Sequence, residues 1–138
     1  MTMGASSAVR LWLREWATPS ALWAVVALFA AGGALAFPVG LYLARLVAPR
    51  RREGRFAATF LAFAVATLGL TSGLYVLVYR TYYATWHADA FSVTWIYQQV
   101  FTTAGALAQF AGLGLRLYFP VGFVALLVAA WWFSRPPR

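Results

Sequence analysis

Long uncharged runs punctuated by arginine give this chain its pattern. Residues 16–44 and 56–79 are 29 and 24 positions without a formal charge. About 20 consecutive apolar residues carry a helix across the bilayer hydrocarbon, and buried helices of water-soluble proteins seldom stay uncharged so long. Two further runs, 92–115 and 117–134, flank Arg116. The pattern predicts an all-α polytopic membrane protein, one transmembrane domain over residues 1–138, with spans at about 19–47, 56–79, 92–115 and 117–134. In a three-span variant the third run lies in the interface or re-enters.

Ahead of the first span, residues 4–16 read as a short amphipathic interfacial helix. Val9, Trp12, Leu13 and Trp16 recur at i, i+3, i+4 and i+7, with Arg10 and Arg14 on another face. Thr18–Pro19 is a helix start, a capping hydroxyl before a proline at the first helical position. Pro38 is expected to kink the first span, which ends before Pro49. Gly32, Ala36 and Gly40 form a row of small residues that lets another helix approach closely, and Gly69 and Gly73 form a second pair.

Composition agrees with a lipid environment. Hydrophobic residues make up 63% and charged residues 10%, against roughly 25% charged in a soluble domain. The absence of cysteine excludes disulfides, thiolate metal sites and thiol catalysis. Every cationic side chain is arginine, a coding bias that suggests a high-GC bacterium and hence a bacterial cytoplasmic (inner) membrane. The net charge of +8 does not point to nucleic acid, because the arginines fall in short loops and near the ends, where anionic headgroups account for them. Arg45, Arg50, Arg51, Arg52 and Arg55 form the densest cluster, a lipid-headgroup contact that places their loop in the cytoplasm. With four spans, Arg116 joins that side and Arg80 and both termini lie opposite; with three, the C-terminal arginines return inside and strengthen the bias. The first run is too long for a signal-peptide core, so no cleaved leader is expected.

The chemistry-bearing residues gather in the second half. Gln98, Thr102, Gly105, Gln109, Gly112 and Arg116 are spaced to share one helical stripe. Polar groups in lipid must face protein or water, so the stripe is a packing face, with a ligand or quinone pocket, or a water path, as the functional alternatives. Arg80, Tyr82, Tyr83, His87 and Asp89 form a polar, aromatic connection at the membrane surface. His87 with Asp89 can be drawn as an acid–base pair, but its interfacial position suits a structural role equally, and Asp89 is placed to start the next helix. A single histidine excludes a two-histidine haem held by this chain alone. No ionisable group falls inside an apolar run, which disfavours proton-coupled transport.

No cofactor or metal is expected. The expected function is a non-enzymatic accessory or structural subunit that packs against partner membrane chains or copies of itself. The alternatives are a homo-oligomeric channel or transporter lined by the glutamine stripe, and a lipid-modifying enzyme using Arg80, His87 and Asp89.

Overall fold

In hydrocarbon every backbone N–H and C=O must find its partner within the chain, so uncharged runs of this length fold as helices. The computed structural model describes residues 2–12, 19–47 and 52–135, with backbone only for Arg10, residues 19–21, Arg52 and Glu53. The described elements are α1 (Thr2–Trp12), α2 (Pro19–Val47), α3 (Arg52–Tyr83), a 3₁₀ turn (Ala84–Trp86), α4 (Val93–Gln109), a π turn (Phe110–Gly114), a 3₁₀ turn (Leu115–Tyr118) and α5 (Val121–Phe133). Three stretches are long and apolar enough to cross a membrane: Leu22–Val47, Gly54–Trp86 and Val93–Tyr118. Leu13, Trp16, Thr18, Pro49, Arg50 and Arg51 lie outside the described residues.

Small residues close the antiparallel α2–α3 hairpin. A Cβ on Gly32 would collide with the Thr71 side chain, and one on Gly40 would lie 2.6 Å from Phe63. Ala36, Ala62 and Ala66 are buried beside them. Close backbone approach of this kind supplies dispersion contacts that lipid tails cannot match. The expected kink site does not interrupt the element, which stays helical through Pro38.

The N-terminal helix packs on the bundle by a face other than its apolar stripe. Val9 and Trp12 of the expected apolar stripe point outward, at 41% and 76% exposure. Met3, Ser6, Ser7 and Leu11 are buried instead, and Gly4 lies against Ala30 of α2. Gly33 meets Met3, so α1 runs antiparallel to α2. Ser6 Oγ donates to the Leu117 carbonyl at 2.7 Å and accepts from the Gly122 N–H at 3.0 Å, tying α1 to the start of α5. The reason is the solvent: lipid accommodates valine and tryptophan, so small and hydrogen-bonding side chains become the packing face.

α4 and α5 pack along different parts of α3. Gln98 and Gln99 bond Ala88 and His87, Gln109 bonds Tyr75 and Tyr79, and farther along Phe123 packs on Phe60 and Phe133 on Phe63. α5 therefore lies beside the half of α3 that leads to Arg55. Its 13 residues span only about 20 Å, short of the roughly 30 Å of hydrocarbon. The expected fourth run is thus a shorter apolar helix that is not among the three candidate spans. Gly112 and Gly114 weaken the helix before the break, and Pro120 holds Phe119 in extended backbone at φ −94°, ψ 137°. The core lies where all these elements meet, around Met3, Phe29, Phe63, Phe110, Tyr118 and Leu126.

Candidate functional site

The polar groups of the described residues concentrate where α3 turns into α4. Tyr75, Tyr79 and Tyr83 recur every four residues along the end of α3, and neighbouring rings approach to 6.1 and 4.7 Å. The 3₁₀ turn ends at Trp86, packed on Tyr82 and Tyr83 at 5.6 and 5.8 Å. The chain then crosses residues 87–92 and restarts as α4, whose N-cap is Ser92: its Oγ accepts from the Trp95 N–H at 3.1 Å. Asp89, expected to start this helix, contributes its backbone carbonyl to the Ser92 N–H at 3.1 Å. Phe91 takes the left-handed region at φ 68°, the strained position of the turn.

Three members of the predicted stripe fasten this turn. Gln98 Oε1 accepts from the Ala88 N–H at 2.8 Å, and Thr102 Oγ1 lies 3.3 Å from His87 Nε2. Gln109 accepts from the Tyr75 hydroxyl at 3.0 Å and donates to the Tyr79 hydroxyl at 3.3 Å. Gln99, which lies off that stripe, donates through Nε2 to His87 Nδ1 at 2.9 Å. With Nδ1 accepting, the histidine proton resides on Nε2 and is directed at Thr102. Both ring nitrogens of His87 are thereby engaged, by Gln99 and Thr102 and not by Asp89 or Arg80. Gln99 Oε1 is buried without a hydrogen-bond partner.

The other predicted positions divide. Gly32, Ala36 and Gly40 lie in the α2–α3 contact, whereas Cβ atoms on Gly69, Gly73, Gly105 and Gly112 would meet nothing within 4 Å. Arg45, Tyr82, Tyr83 and Asp89 are exposed and Arg80 is half-buried. Arg55 is also half-buried, with a buried Nε that has no hydrogen-bond partner among the described residues. Arg116 falls in the 3₁₀ turn of the break, exposed, on the wall of an apolar cavity. Arg135 stacks 3.5 Å over Trp131. Sequence reasoning missed Tyr75 and Tyr79 as partners of Gln109 and Ser6 as the α1–α5 tie; the four-residue tyrosine spacing was the signal for the first.

Chemically the arrangement is a hydrogen-bonded clasp holding α4 to α3. Among the described residues no three His, Asp, Glu or Cys side chains come together as a metal site would need. Comparison with known proteins finds no matching family, no matching characterised relative and no matching solved structure.

Proposed function

We propose that this chain is a non-enzymatic integral membrane subunit that assembles with partner membrane chains, or with copies of itself, through glycine-lined faces of α3 and α4. One observation carries the reading. Gly32 and Gly40 are filled by neighbouring side chains, while Gly69, Gly73, Gly105 and Gly112 in the same chain face open space. Glycine costs a helix about 1 kcal/mol relative to alanine, and close helix approach is the compensation available in lipid. Engagement of Gln98 and Thr102 within the chain removes two of the side chains that a pore would draw on. Arginine placement supports a bacterial inner membrane with Arg45 and Arg55 on the cytoplasmic side.

The test is the size of the native particle in mild detergent for the wild type and for Gly69→Leu/Gly73→Leu and Gly105→Leu/Gly112→Leu. Leucine at these positions has room in the chain, so the variants are expected to fold and to lose the assembly. A monomeric wild type that captures no other membrane chain, or leucine variants that assemble unchanged, would overturn the reading.

A further inference from the structure

The break between α4 and α5 leaves a cavity of about 530 Å³ between it, α1, α2 and α3. Its walls are apolar, with Leu11, Leu28, Leu74, Val78 and Leu113 among them. Ala24, Ala27, Val78 and Leu113 on its margin are exposed, so the cavity opens sideways, toward the surrounding lipid. An occupant entering by that route brings a hydrocarbon chain.

The polar margin defines the other end of the ligand. Gln109 and Arg116 both line the cavity, on either side of the π turn, with Phe110 and Tyr118 both packed on Phe29, and no carboxylate does among the described residues. Gln109 gives one amide hydrogen to Tyr79 and keeps a second. The guanidinium of Arg116 has five N–H donors, enough for a headgroup beside any contact it already makes. The margin therefore offers donors and a positive charge, which select an acceptor of negative charge. Depth agrees. Gln109 lies level with Tyr75 and Tyr79, which precede Arg80 by up to just over one turn, roughly 7 Å along the helix axis. That is the boundary between headgroups and acyl chains.

We infer that this cavity is a binding site for an anionic phospholipid, one acyl chain lying in the apolar pocket and the phosphate held by Arg116 and Gln109. The site goes beyond assembly and does not depend on it. The experiment is native mass spectrometry of the full chain exchanged into vesicles of phosphatidylglycerol or of phosphatidylcholine. One retained phosphatidylglycerol per chain is expected, with phosphatidylcholine held about fivefold less well, the worth of roughly one arginine at an anionic surface. Ala27→Trp, which fills the cavity from its exposed margin, should abolish retention of both, and Arg116→Gln should remove the preference for phosphatidylglycerol. Equal retention of the two lipids by the wild type, no retained lipid, or retention unchanged in Ala27→Trp would overturn the assignment. Ala27→Trp leaves Arg116 untouched, so the test stands even if Arg116→Gln fails to fold.

Discussion

The α2–α3 hairpin and the α4–α5 element lie side by side on the same helix, and they solve the problem of packing in lipid differently. The hairpin is uninterrupted on both sides and is held by shape: Gly32 and Gly40 admit Thr71 and Phe63. The α4–α5 element is broken by a π turn, a 3₁₀ turn and Pro120, and is held by hydrogen bonds to the α3 end, the following turn and α1. A Cβ on its glycines at 105 and 112 would meet nothing within 4 Å. Lipid tails are as apolar as leucine, so hydrophobicity cannot choose a helix's partner; small residues or polar bonds must do so. The hairpin uses the first device internally. The broken element uses the second internally and leaves the first facing outward.

Substituting one glycine from each region gives the sharpest test of that contrast. Gly32→Leu drives a side chain into Thr71, which includes its backbone Cα, and is expected to destabilise the bundle by about 3 kcal/mol. Gly73→Leu has open space and should leave monomer stability unchanged or slightly raised. Loss of monodisperse protein on heating in detergent reads both, and equal losses would erase the distinction. Next in size is the tie between α1 and the break. Ser6→Ala strands the Leu117 carbonyl and the Gly122 N–H in a buried site and should cost about 2 kcal/mol in the same assay.

The clasp at the start of α4 should yield a smaller, local effect. His87→Ala removes the partner of Gln99 and Thr102, each such bond in a membrane protein being worth roughly 0.6 kcal/mol. Hydrogen exchange should quicken in the first turns of α4 and leave the α2–α3 hairpin unchanged. Thr71→Val should do least. The Thr71 hydroxyl is buried without a hydrogen-bond partner, so replacing it by a methyl group is expected to shift stability by under about 0.5 kcal/mol. A large loss would mean that the hydroxyl has a partner.

These contrasts also explain what could be read from the amino acids beforehand. The long uncharged runs and the Gly32–Ala36–Gly40 row were legible because the bilayer demands length and because close approach demands small side chains. The spacing of Gln98, Thr102 and Gln109 identified a shared face, but periodicity does not say what a face meets, and His87, Tyr75 and Tyr79 emerged only in three dimensions. His87 was paired in sequence with Asp89, two positions away, yet the turn carries it to Gln99 and Thr102. Residues 117–134 read as a crossing because they are apolar, while the turns around Gly112, Gly114 and Pro120 shorten the final helix to 13 residues. On α1 the apolar stripe of Val9 and Trp12 was legible, whereas the packing face of Met3, Ser6, Ser7 and Leu11 was not, because small and hydroxyl residues carry no amphipathic signal.

The account rests on α5 lying beside the half of α3 that leads to Arg55. The chain lacks cysteine, so single cysteines report position without background. Val47→Cys, Ala90→Cys and Arg135→Cys, each at an exposed position, can be probed in sealed vesicles with a membrane-impermeant maleimide. The prediction is that 47 and 135 label from one side and 90 from the other. Labelling of 135 together with 90 would mean that α5 returns as a separate crossing, and would contradict the account.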